Sequence, residues 1–438
     1  ARLHGAMALV RSGEQQQAVY AAWRDGAQFG GRRRRGVLVG GGITADNSGN
    51  RSLTKSGAGT LALDGAAGTW SGGVNIQQGT LSVGNAAALG TGPISFNNSA
   101  NGGTLRNTTG SLITDNVAVS LGGNAGVTAT ITGTAGNDWS FGKLTNIQSG
   151  NAVLMVDTVN ATFTDADLSN SGTSRTLVVD GTGNVNFTGT VANGSSSTAS
   201  ALTKQGAGTL TLSGTGTYDG ATTVSDGKLF VNGDSSTATG AVSVNALATL
   251  GGTGIIGGST TVADTGKLEF DISTAPGSHD GLALASGQTL SFGANATLTI
   301  NSISGATTGS YILVTAPGGV GALPTFTLNL PVGWTANVTR ENSDTELVLN
   351  VTSIGATSPY DEWADGFTPN PGANNLNPDT DAFSNLLEFA FGTNPNVSDA
   401  VSLTWNGSTF TPGSPVIVGP TYSESGVEFK VRFIRRLD

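Results

Sequence analysis

Apolar and polar positions alternate over short stretches along most of this chain, and the stretches recur. Leu53-Thr-Lys-Ser-Gly-Ala-Gly-Thr-Leu-Ala-Leu-Asp-Gly65 and Leu202-Thr-Lys-Gln-Gly-Ala-Gly-Thr-Leu-Thr-Leu-Ser-Gly214 share ten of thirteen positions. Each then passes an aromatic residue, Trp70 or Tyr218, to a glycine-led run, Gly79-Thr-Leu-Ser-Val83 or Gly227-Lys-Leu-Phe-Val231. Alternation of period two predicts half-buried strands, and the glycines predict turns between them. Leucines in this phrase stand at 61, 81 and 105, and again at 210, 229, 250, 268 and 290. A recurrence near every twentieth residue predicts a solenoid in which each coil buries its apolar face only against its neighbours. The predicted class is all-β: a parallel β-helix with a short N-terminal helical segment and a small C-terminal module.

The pattern divides the chain into five parts. In residues 1–42, Glu14–Arg24 reads as a short helix, and Arg32 to Arg35 follow as a solvated linker. Residues 43–300 carry the solenoid pattern. Residues 301–352 have wider-spaced strands and read as its cap, since terminal repeats must cover open strand edges. Residues 353–400 form a Pro/Gly linker and a short acidic helix, and 401–438 a partial β module. At about 20 residues per coil and ~4.8 Å between strands, some ~15 coils would make a rod ~70 Å long.

Composition supports this reading. The 438 residues include 67 glycines and no cysteine, and only 11% are charged. Without disulfides, stability must come from the stacked core. The net charge of −10 is uneven: eight arginines against Glu14, Asp25 and Asp46 make residues 1–51 basic, leaving an acidic body. A weakly charged acidic surface excludes nucleic acid as the natural partner, because phosphate binding needs a basic stripe. No apolar run has the ~20 residues a membrane-spanning helix needs.

The phrase Leu-Thr-Lys-x-Gly-x-Gly-Thr-Leu-x-Leu-x-Gly, the aromatic and the Gly-x-Leu-x-Val strand together resemble the autotransporter-associated β-strand repeat of bacterial passenger domains. Gly251–Gly258 with Val262 and Leu268 resembles the segment that follows such repeats. The resemblance covers about residues 43–352. It implies a right-handed parallel β-helix, secreted or displayed at the surface of a Gram-negative-type bacterium. Nothing after residue 352 resembles a membrane β-barrel translocator, a departure from that family.

Candidate chemistry is sparse. Against a twelve-residue calcium loop, Asn377, Asp379, Asp381, the Phe383 carbonyl, Asn385 and Glu388 fall at the ligand positions 1, 3, 5, 7, 9 and 12. Oxygens at alternate positions and a final glutamate suit a hard cation, while Ala382 replaces the usual glycine; the alternative is a helix cap with no ion. The two histidines, His4 and His279, lie far apart, and the turn formers around His279 are expected to hold it in solvent. Asp157, Asp165, Asp167 and Asp180 are the carboxylates a β-helical lyase or hydrolase would use, and a row of solvated turns explains them more simply. Gly233-Asp-Ser235 reads as a turn. Asparagines 97, 98, 184 and 186 are expected to hydrogen-bond up and down columns.

These readings lead to a non-enzymatic exported rod: a surface spacer, adhesin or matrix component. Its expected partners are glycans, other surface proteins or copies of itself, with calcium as the one candidate cofactor. A self-assembling fibre subunit is the alternative, and a β-helical polysaccharide lyase or hydrolase a lesser one.

Overall fold

The computed structural model describes residues 52–354 apart from the short stretches 66–70, 99–101, 124–127, 171, 195–198, 274–278 and 303–304. It also describes isolated strands between residues 8 and 39 and between 404 and 432, and Asn396. The chain divides into two compact units, one of residues 1–331 with 336–352, the other of 332–335 with 353–438.

The first unit is a three-faced parallel β-helix. Face I runs in parallel from Ser52–Lys55 through Val74–Ile76, Ile94–Asn98, Val119–Gly123, Leu144–Asn146 and Ala166–Asp167 to Val191–Ala192. It narrows to one bridge, Val191 with Gly216, whose amide donates to the Asp234 carbonyl at 3.0 Å. From Asp234–Ser235 the face resumes as Ile255–Ile256, Leu282–Leu284 and Gly309–Thr315. Face II is the longest. Thirteen of its 14 strands are parallel, from Gly36–Val39 to Gly319–Val320, and Ala22–Trp23 adds an antiparallel edge. Face III has ten parallel strands, from Ile113–Thr114 to Thr325–Asn329.

Thirteen stacked strands at ~4.8 Å make a coil about 58 Å long. That is fewer rungs than a uniform 20-residue repeat predicts, because the middle of the solenoid uses longer ones. Leu61 pairs with Leu81 and Leu81 with Leu105, but Ile131 lies 26 residues beyond its partner Leu105. On face III, Leu210, Leu229, Leu250 and Leu268 form one column as the spacing predicts. Leu290 does not continue it. A longer excursion after Ile272 puts Leu298 next in the column, 30 residues on, while Leu290 pairs with Thr260 and Val320 on face II.

The interior follows from the alternation. Strand after strand buries every second side chain: Leu61, Leu81, Leu105, Leu210, Leu229, Leu250 and Leu268 are all at most 5% exposed. Phe141, Phe163 and Phe187 stack inside face III with ring centroids 5.2 and 5.7 Å apart. Burial at about 25 cal/mol per Å² of apolar surface makes these columns the main favourable contribution to folding.

Both ends carry antiparallel strands. The helix expected over Glu14–Arg24 is not formed: Gln15–Val19 and Ala22–Trp23 are strands. Gln15–Val19 pairs with Ala8–Ser12, which docks antiparallel on Ser52–Lys55. Pairing with the open edge of face I satisfies backbone groups that a short, isolated helix would leave to water, and this outweighs the weak alanine periodicity. At the other end, Glu346–Ser353 reverses direction against Gly309–Thr315, with Thr335–Glu341 beyond it. The turn between them places Asn342, Ser343 and Asp344 in the left-handed region, with φ of 51°, 57° and 65°. Its Asp344 and Thr345 carbonyls accept from the Val320 and Ala316 amides at 2.6 and 2.8 Å, and Arg340 donates to the Val320 carbonyl at 3.1 Å. These contacts cover the last strand of face II.

In the second unit, Thr404–Trp405 pairs with Phe410–Thr411, and Val416–Ser423 with Gly426–Arg432, both antiparallel.

Candidate functional site

The repeated phrase builds the same corner twice. Lys55 and Lys204 are 5% and 2% exposed, on strands whose other buried positions are apolar. The Lys55 ammonium folds back to donate to the Ser56, Gly57 and Gln78 carbonyls at 3.2, 2.6 and 2.8 Å. Lys204 does the same to the Gln205 carbonyl and, at 2.6 Å, to that of Gly206. Gly57 and Gly206 turn the chain at φ of 76° and 64°. The next rung then seats a glycine on this corner: a Cβ on Gly79 would meet the Gly59 oxygen at 2.4 Å, and one on Gly227 the Gly206 oxygen at 2.3 Å. The phrase thus encodes a corner whose carbonyls are held by its own lysine and whose roof must be glycine. Burial pulls the Lys204 amine down to about 8, against Asp180 and Asp226, whose charges hold it up; burial also lowers Lys55.

The two corners do not share a face. In the first copy the phrase runs from face I to face II, in the second from face II to face III. The unit is therefore portable around the coil. Tyr218, the aromatic of the second copy, is buried behind the one-bridge stretch of face I and bonds Thr222 through its hydroxyl at 2.6 Å; burial pushes its phenol up to about 12. Trp70, its counterpart, lies outside the described residues.

The four candidate carboxylates are each engaged in holding the coil. Asp157 accepts from the Thr182 amide at 3.0 Å, Asp165 from the Thr190 amide at 2.7 Å, and Asp180 from the Gly181 amide at 2.7 Å. Asp167 pairs with Lys143 at 2.7 Å. Asp157 and Asp180 end strands of face II, whereas Asp165 precedes and Asp167 ends the two-residue strand Ala166–Asp167 of face I, so the sequence set is not gathered in one place. His279 is only partly in solvent. Its Nε2–H donates to the Ile312 carbonyl at 2.8 Å, and its ring packs edge-on against Tyr311. Asp234–Ser235 is a short strand of face I rather than a turn. Asp115 went unnoticed in the sequence: one of its carboxylate oxygens is buried without a partner, and burial raises the group to about 6.

Columns of hydroxyl and amide groups run along the outer surface of the described coil. On face II, Thr203, Thr223, Ser243, Thr261 and Ser291 form one outward column. At the edge of face III, Asp138 accepts from the Asn160 side chain at 3.0 Å, Asn160 from Asn184 at 2.9 Å, and Asn184 from the Thr209 amide at 3.0 Å. The ladder expected of Asn184 is present there, while Asn186 makes a separate bond by accepting from Ser213 at 2.8 Å. Asn97 faces Gly122 in the following rung, so no amide stacks on it from that side, and the side chain of Asn98 lies outside the described residues.

The calcium-loop candidates Asn377, Asp379, Asp381, Phe383, Asn385 and Glu388 lie outside the described residues, as does His4. Among the described residues no cluster of three or more His, Asp or Glu is placed to hold a metal. No helix of the described residues is long and apolar enough to cross a membrane.

Residues 53–83 and 202–231 match the family Passenger-associated-transport-repeat. These are the two corners just described together with the strands that follow them. No curated protein matches the chain. Both matched regions lie within the parallel β-helix of the first unit.

Proposed function

We propose that this protein is an exported β-helical rod, secreted or held at the surface of a Gram-negative-type bacterium, that acts without catalysis as a spacer and adhesin for glycans. The observation that carries the reading is the occurrence of two passenger-associated transport repeats within one continuous parallel coil. Stability that comes from stacking suits a chain that must cross an envelope unfolded and then coil rung by rung, with no disulfide to form. The outer columns of hydroxyls and amides suit hydrogen bonding to sugars, and their low charge keeps polyanions from competing. Antibodies raised against the solenoid should label intact cells of the source bacterium or its culture medium. Label found only after lysis would overturn the reading.

The acidic segment Asn377–Glu388 enters this proposal as a calcium site. Calorimetry on the full chain should show calcium heat that Asp379→Asn with Glu388→Gln removes.

A further inference from the structure

Phe230 is an aromatic that alternates onto the outer surface of the first unit. In Lys228–Val231 the buried positions are Leu229 and Val231, so Lys228 and Phe230 point outward. Phe96, Trp139, Phe141, Phe163, Phe187 and Phe270, by contrast, are buried inside the coil. Core packing therefore does not require a ring at this position.

Its neighbours are also unlike the surrounding hydroxyl columns. The next residue along the outward column is Gly251, and a Cβ there would meet the Phe230 ring carbons at 2.7 and 3.0 Å, so the ring leans over a bare stretch of backbone. Beyond it stands Glu269, which pairs with Lys228 at 2.7 Å across the intervening rung. The Lys228 ammonium lies 6.0 Å from the centre of the Phe230 ring. The Asn301 amide bridges Glu269 and Asp271, at 3.4 and 2.9 Å. An apolar ring is thus bordered by an ammonium, two carboxylates and an amide that fix one another's positions.

We propose that this patch is a sugar-binding subsite: a pyranose ring lays its C–H face against Phe230 while its hydroxyls bond Lys228, Glu269 and Asn301. Planar polar groups held around an apolar platform match the two-sided chemistry of a sugar, which has an apolar face and a rim of hydroxyls. On this face Lys228 and Lys267 balance Glu269 and Asp271, so the patch offers a charged sugar no net attraction and suits a neutral one. The surface is an open sheet face rather than a cleft, which favours a flat, extended β-1,4-linked chain. This inference rests on the reading of the rod as a glycan-binding adhesin.

Calorimetric titration of cellohexaose and of chitohexaose into the full chain tests it. At least one sugar should bind the wild type, and Phe230→Ala should weaken that binding tenfold or more. Phe230→Leu, which keeps an apolar cover over Gly251, should weaken it to a similar degree, and Lys228→Met less, with thermal unfolding of all three close to wild type. Undiminished binding by both Phe230 variants would overturn the subsite while leaving surface display, measured on whole cells, intact. Absence of heat with either sugar in the wild type would overturn the subsite as well.

Discussion

Lys204 shows how much a single side chain decides in this coil. A lysine in an apolar column is tolerated because its ammonium finds the carbonyls of its own turn, which would otherwise lack donors. Its folded value of about 8 lies below the ordinary 10.5. Between those values the unfolded chain binds the proton more tightly, so this group's contribution to stability should rise with pH across the window. Denaturant midpoints measured from pH 7.5 to 10.5 should increase for the wild type relative to Lys204→Met, which should be less stable throughout. A flat difference would place the amine in water. Asp115 works in the opposite sense. Its folded value of about 6 lies above 3.8, so its contribution is complete below 3.8 and is lost as pH rises toward 6. Asp115→Asn should therefore raise the melting temperature at pH 7 and leave it unchanged near pH 3. Leu229→Asp would bury a charge between Leu210 and Leu250, at a cost on the order of 4 kcal/mol.

At the scale of the element, the corner matters more than the strand. Where face III gives way to face I, Gly189, Gly214, Gly233 and Gly254 stack, and a Cβ on Gly233 would come within 1.9 Å of the Gly214 oxygen. Gly233→Ala cannot be absorbed by a flexible side chain, since the obstacle is backbone. It should lower the melting temperature by several degrees or more, whereas Thr223→Ala on the outer surface should change it little. The strands themselves were legible in the sequence, because the leucine phrase marks residues that point inward. Which face each strand occupies was not legible. The coils between Leu105 and Leu202 run to about 25 residues without the phrase, and this turns the second copy one face from the first. Leu290, the last leucine of the recurrence, leaves the column for the same kind of reason, an excursion after Ile272 that spacing alone cannot reveal. Phe230 was hidden because it occupies a variable position of the Gly-x-Leu-x-Val strand, where the pattern fixes only the inward residues.

At the scale of the molecule, the first unit is one continuous stack in which strand neighbours come from successive turns of the chain. The sequence contains no cysteine, so introduced pairs report without background. Thr223 and Ser243 are register partners on the outer surface of face II, and Ser243 is in turn the partner of Thr261. Adjacent strands lie ~4.8 Å apart, within the Cα separation a disulfide tolerates, whereas strands two rungs apart are about twice as far. Oxidation of the Thr223→Cys, Ser243→Cys variant should form an intramolecular disulfide in high yield, and the Thr223→Cys, Thr261→Cys variant should form almost none. Efficient closure of the 223–261 pair with failure of 223–243 would contradict the stacked coil, and with it the reading of this protein as a passenger-type rod.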